Sequence, residues 1–203
     1  MTRIDPEMLR DIPVPPPAIH RLTQYCQELL TWNRHYNLVS RRLTPAGVVR
    51  LIRRALAIDT LAPTACTNIL DIGSGAGLPA VPLAIAHPEW MVLLMEPRNT
   101  RRHFLEHVCR MLALVNIKIL GERFPAGIEQ GRRFSMITSQ AVGMRHLDLS
   151  SLIRRLEQQG VAILSAARED GAEKVPDGMV MERISVDLDD EQVVFIRVHP
   201  GPQ

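Results

Sequence analysis

The stretch NILDIGSGAGLPAVPL, residues 68–83, places Gly73, Gly75 and Gly77 at alternate positions directly after an apolar run. Glycine adopts positive φ without steric penalty and lets a ligand come close to the main chain. Asp71 stands just before these glycines, and Glu96 closes the next apolar run, MVLLME, 25 residues later. An ionised carboxylate offers about four lone-pair sites, so it can meet an ammonium group or both hydroxyls of a vicinal diol. Two acids around one bare turn suit a ligand that carries an amino-acid head and a ribose.

Three ligand classes use a glycine-rich turn between strand and helix. A nucleoside triphosphate loop needs GxxxxGK[ST], whose lysine reaches the phosphates. The only lysines here are Lys118 and Lys174, neither of them in the turn. A dinucleotide fingerprint needs GxGxxG. Gly73 and Gly75 match it, but Leu78 holds the third place, Gly77 comes one residue early and Pro79 follows. S-adenosylmethionine has a sulfonium and a zwitterionic amino acid but no phosphate, so Asp71 would meet its ammonium and Glu96 its ribose. A tight turn that holds nothing is the remaining alternative.

The elements around the turn follow from periodicity. Ile19, Leu22, Tyr25, Cys26, Leu29, Leu30 and Trp32 recur at mostly three- and four-residue steps after VPPP, which predicts a helix over residues 17–33. Thr44 and Pro45 read as an N-cap and first-turn proline of a second helix, residues 45–61. Short apolar runs at 68–72, 91–95, 117–120, 135–138 and 161–165 read as buried strands, separated by helical stretches at 78–87, 99–113 and 145–158. The polar segment 121–133 shows no clear helix. Strand and helix in alternation predict a mostly parallel sheet with helices on both faces. Residues 180–186 and 192–198, joined by DLDDE, read as a C-terminal antiparallel hairpin on the sheet edge, after a loop at 167–179. The expected organisation is an N-terminal helical extension, residues 1–63, and one compact α/β unit, residues 64–203.

Composition bounds the function. The 203 residues are 46% hydrophobic and 23% charged, as in a globular chain with a real core. No apolar run reaches the ~18 residues of a membrane span, and the N-terminus lacks a signal-peptide core. A cytoplasmic protein is expected. Cys26, Cys66 and Cys109 lie far apart without metal-ligand spacing, so no metal site is expected and they read as small buried residues. Of 24 basic residues 22 are Arg, and residues 1–110 hold 13 basic against 9 acidic residues despite a net charge of only +2. The planar guanidinium suits phosphate, and pairs such as Arg41 and Arg42 or Arg101 and Arg102 point to an anionic partner or, equally, to solvated helix faces.

WNRHYNLVS (32–40), ILDIGSGAGLPAVPLAIAHPE (69–89) and RRHFLEHV (101–108) together resemble the bacterial small-subunit ribosomal RNA guanine-N7 methyltransferases, also called glucose-inhibited division protein B. The similarity runs from about residue 20 to 165. It implies a seven-stranded, mostly parallel methyltransferase sheet with an N-terminal helical extension, S-adenosylmethionine as donor and guanine N7 of 16S ribosomal RNA as acceptor. The resemblance puts the methionine pocket on Gly73, Ser74, Gly75, Gly77 and Leu78, the ribose acid on Glu96 and the adenine contact near Arg123, Phe124 and Pro125. Where the family carries His-x-x-Asp-Ser in its second helix, this chain reads Arg54, Ala57 and Ile58. The family's Ser-Arg-Ala after the fourth strand reads Ser139, Gln140 and Ala141, and its Lys after the fifth reads Ser165. These departures fall on the acceptor side, which Ser139 and Gln140 are expected to line.

Guanine N7 attacks with a lone pair and loses no proton, so no general base is expected. RNA contacts are expected at Tyr36, Asn37, Arg41, Arg42, Arg54, Arg101 and Arg102, on a looped strand whose bases can be splayed and stacked. Trp32 and Phe104 read first as core, and the histidines carry no role. A monomer acting on ribosomal RNA or the small subunit is the expectation. A relative methylating a protein or small molecule, and a module that binds cofactor or RNA without transfer, stay open.

Overall fold

A computed structural model describes residues 3–140, 147–165, 177–188 and 191–201. Its chain order is helix α1 (Pro16–Tyr36), α2 (Pro45–Ala57), strand β1 (Asn68–Ile72), α3 (Ala80–Ala86), β2 (Met91–Met95), α4 (Asn99–Met111), β3 (Ile117–Leu120), β4 (Phe134–Ser139), α5 (Leu149–Arg154), β5 (Leu156–Ser165), β6 (Met179–Leu188) and β7 (Glu191–Pro200). The seven strands form one sheet in the order β3-β2-β1-β4-β5-β7-β6. Strands β1 to β5 run parallel, and β7 lies antiparallel between β5 and β6. The chain builds outward from β1 to β3 and then returns to β4 on β1's other side. The crevice at such a reversal, beyond the carboxyl ends of the strands, is where open α/β sheets bind ligands.

Alternation along the strands sorts side chains into two apolar clusters, because successive residues point to opposite faces. Ile69, Val92, Leu94, Met136 and Ile163 join the cluster under α1 to α4. Leu70, Ile72, Leu93, Met95, Ile137 and Leu164 join the other, with Leu152 of α5. The first cluster also takes in Ile4, Leu9 and Ile12 from the N-terminal segment, where a 3-10 turn spans Pro6–Leu9. The helical extension and the sheet thus share one continuous apolar packing.

Local chemistry accounts for the helix starts. Thr44 accepts a hydrogen bond from the N–H of Gly47 and Pro45 opens α2, as its capping residues predict. Helix α1 outruns its expected end by a turn and stops at Asn37, which takes a left-handed conformation at φ 47°. Residues 58–61 leave α2 as a separate 3-10 turn, and residues 78 and 79 precede α3 rather than open it.

The largest departure is at the helix expected over 145–158. Residues 145 and 146 lie outside the described residues, the helix covers only Leu149–Arg154, and residues 156–158 belong to β5. The apolar spacing does continue to Leu156, but that residue pairs with Phe134 of β4 instead. The register then shifts before Met136 pairs with Val161. Gly160 makes the irregularity possible: an added Cβ would lie 2.8 Å from the Phe134 carbonyl oxygen and 2.9 Å from the Glu157 nitrogen. Both are backbone atoms and cannot swing aside. Gly160→Ala should therefore cost about 1–3 kcal/mol, lowering the melting temperature by about 2–4 °C per kcal/mol in a calorimetric scan.

Candidate active site

The glycine turn leaves β1 at the reversal point. Gly73, Gly75 and Gly77 all have positive φ, at 73°, 57° and 89°. The N–H groups of Gly73 and Ser74 both donate to the carbonyl of Met95, at 2.9 and 3.1 Å, which ties the turn to the end of β2. The glycines are bare for different reasons. A Cβ on Gly77 would sit 2.5 Å from Val81 Cγ2 and 3.0 Å from Leu105 Cδ2, so this residue is small because α3 and α4 pack against it. A Cβ on Gly75 would meet nothing nearer than 3.7 Å. At Gly75 backbone conformation, and not the protein's own packing, excludes a side chain.

Glu96 is only 2% exposed and turns toward this loop. Its Oε2 accepts from the N–H of Gly75 at 2.8 Å and its Oε1 from the N–H of Arg98 at 2.9 Å. Each oxygen keeps a further lone-pair position for a diol. Asp71 is fully buried on the neighbouring strand, where its Oδ1 accepts from the Thr138 hydroxyl at 2.7 Å. Its Oδ2 has no hydrogen-bond partner among the described residues. Burial pushes this carboxyl up to about 7, with the hydroxyls of Thr138 and Ser74 opposing the rise and the charge of Glu96 adding to it. An unpartnered buried acceptor calls for a donor, and an ammonium group would supply one. The residues present therefore fit S-adenosylmethionine.

The extension reaches the same turn. Tyr25 of α1 is fully buried and donates its hydroxyl to the carbonyl of Ala76 at 2.7 Å. Helical spacing marks Tyr25 as core but carries no signal of this bond. Asn33, inside the WNRHYNLVS stretch, clamps the chain after α1: its Nδ2 donates to the Ser40 carbonyl and its Oδ1 accepts from the N–H of Val39. Trp32 stacks among Tyr36, Phe104 and His107, with ring centroids 5.3–5.5 Å apart, as a joint between α1 and α4.

The seven expected RNA contacts do not form one patch. Tyr36, Asn37, Arg41 and Arg42 are exposed around the turn that follows α1. Arg54 lies near the other end of α2 and makes a two-pronged ion pair with Glu191 of β7, both contacts at 2.6 Å, so it is a structural tie. Arg101 lies apart from both, with its Nη1 3.8 Å from Glu96 Oε2 and beside Gly75. Arg102 donates to Asn99 and lies over Gly121, after β3. Ser139 ends β4 with its hydroxyl on the carbonyl of Ile72, and Gln140 follows half-buried, while Ala141 lies outside the described residues. Ala57 and Ile58 are buried core. Of the adenine-side candidates Arg123 and Pro125 are exposed, whereas Phe124 packs against the cluster around α5. Leu78, half-buried, packs against the cluster under α1 to α4. Burial pushes the thiols of Cys66 and Cys109 up to about 11 and that of Cys26 to about 12, as small apolar fillers require. Among the described residues no group of three His, Cys, Asp or Glu could hold a metal, and no helix is long and apolar enough to cross a membrane.

Known proteins share this arrangement. A solved precorrin-6y C5,15-methyltransferase from Geobacter metallireducens has the same fold, with a TM-score of 0.59 at 16% identity over 80% of this chain and 93% of that one. The seven-stranded sheet with its antiparallel C-terminal strands is that of the S-adenosylmethionine-dependent methyltransferases. The family model for GidB, rRNA small subunit methyltransferase G, matches residues 18–186, and the chain belongs to that family. A ribosomal RNA small subunit methyltransferase G from Nitrosospira multiformis is 30% identical over 177 residues, 81% of this chain and 79% of the relative. One from Chloroflexus aggregans is 34% identical over 134 residues, and the match covers 64% of this chain and 56% of that relative.

Asp71 holds its proton more tightly folded than unfolded, so the free protein should lose stability as pH rises from about 4 to about 7. A cationic ligand reverses the preference by selecting the ionised form. Calorimetric affinity for S-adenosylhomocysteine, which carries the same ammonium, should rise up to about tenfold per pH unit below pH 7 and then level off. Asp71→Asn should bind weakly and without that slope. An unchanged slope in the variant would remove Asp71 from this role.

Proposed function

We propose that this chain transfers a methyl group from S-adenosylmethionine to N7 of a guanine in small-subunit ribosomal RNA. The donor half is carried by one observation: Glu96 holds the main chain of Gly75, and buried Asp71, on the strand that leads into the same turn, keeps one oxygen without a partner among the described residues. The acceptor half is supported by membership of the family and by the names of its relatives. S-adenosylmethionine, when bound, supplies an electrophilic methyl group on a positively charged sulfur.

The chain's own residues bind and orient. Asp71 would take the ammonium, Glu96 the ribose hydroxyls, and the turn from Gly73 to Leu78 the methionine main chain. Arg123 and Phe124, after β3, would border the adenine. Since guanine N7 has no proton to lose, positioning is the main task, and alignment of two reactants contributes about 7–11 kcal/mol. Ser139, which ends β4, and Gln140, which follows it, would border the acceptor. Exposed Tyr36, Arg41 and Arg42 would meet base and phosphate of a looped strand.

Small-subunit RNA from a strain lacking this protein, incubated with labelled donor, should gain label at a guanine that borohydride and aniline then cleave. Glu96→Ala should raise the donor KM by about tenfold to hundredfold, the loss expected of one or two charge-assisted hydrogen bonds. Gly75→Val should abolish transfer, whereas Gly77→Ala should act first on the melting temperature. Label entering protein rather than RNA would overturn the acceptor assignment.

A further inference from the structure

The opposite end of β4 carries a feature that the donor site does not use. Arg133, just before β4, and Arg154 and Arg155, at the end of α5, line a cavity of about 440 Å³ together with Pro125, Gly131 and Ser151. That volume lies within the range of small-molecule sites. No Asp or Glu is among the described lining residues. The frame is fixed through the main chain. Arg133 Nη1 donates to the carbonyl of Leu156 at 3.0 Å, and Arg155 Nη1 to those of Glu129 and Arg132 at 2.7 and 3.2 Å. The N–H of Phe134 donates back to the Arg155 carbonyl at 2.7 Å, and Arg154 Nη2 donates to the Ser151 hydroxyl at 2.8 Å.

These bonds engage one nitrogen of each guanidinium, and each guanidinium has five N–H donors. Of the neighbouring acids, Asp148 accepts from the Ser151 hydroxyl and its charge reaches Arg154 alone, which leaves Arg133 and Arg155 without an acid among the described lining residues. Asp148 also accepts from the N–H of Ser151, and Glu157 from Asn68. The side of Gly131 is open, since an added Cβ there meets nothing within 4 Å. Cations at a helix C-terminus would account for Arg154 and Arg155. They do not account for a third guanidinium, from another segment, on the same cavity. Converging like charges repel, and a phosphate offsets this while matching the guanidinium fork.

We infer that this cavity binds a phosphate of the RNA strand, as a second grip remote from the donor turn. The inference rests on the ribosomal RNA reading above. Six-residue β4 spans about 17 Å, so one strand held at both ends would gain from the linkage of two contacts.

The test uses labelled oligouridylate, which contains no guanine, in anisotropy titrations over a range of salt. The double variant R133Q/R154Q should weaken binding at least tenfold and flatten the salt slope by about 0.7 for each phosphate it no longer neutralises. Its affinity for S-adenosylhomocysteine and its melting temperature should stay close to those of the parent, and R133K/R154K should recover part of the binding. Unchanged affinity and slope would overturn the inference. So would thermal stabilisation by inorganic tripolyphosphate that the variant loses while RNA binding stays intact, which would assign the cavity to a free polyphosphate. Failure of guanine methylation alongside a clear oligouridylate defect would remove the guanine reading and leave this site standing.

Discussion

The carboxylate of Glu96 holding the main chain of Gly75 is the contact on which the rest of the site depends. It joins the end of β2 to the turn leaving β1, and a second oxygen reaches the start of α4 through Arg98. A buried ionised acid is tolerated only when hydrogen bonds replace its water. Here two backbone N–H groups do so. On the reading proposed above, a ribose would use the same oxygens that hold the turn, adding donors to a carboxylate already in place.

Around that contact the charges are graded. Asp71 is buried with one oxygen partnered and one without, and it is held near neutrality by its surroundings. Arg101 lies 3.8 Å from Glu96. On the reading proposed above, an ammonium group would favour the ionised form of Asp71, and a ribose would meet its acid next to a guanidinium. The N-terminal extension belongs to this machinery physically, because the Tyr25 hydroxyl supports the Ala76 carbonyl and the Trp32 cluster locks α1 to α4.

Much of this was legible in the residues. Hydrophobic period separated strands from helices, Thr44 and Pro45 marked a helix start, and the spacing of Asp71, the glycines and Glu96 marked one turn and two acids. What was hidden depended on partners distant in the chain. Leu156 continued a helical pattern but was claimed by Phe134. Arg54 looked like a phosphate ligand until Glu191, 137 residues away, took it. Gly77 looked like Gly75 until Val81 and Leu105 filled its space.

By itself, then, the sequence determined the alternating elements, the glycine turn and the family to which the chain belongs, because these rest on local spacing and short motifs. Only the tertiary structure decided which glycine is crowded by neighbouring side chains, which arginines are held by carboxylates, and that three of the others converge on one cavity. Those outcomes are set by which side chains meet across the sheet, and pairwise contact between distant residues leaves no trace in local periodicity.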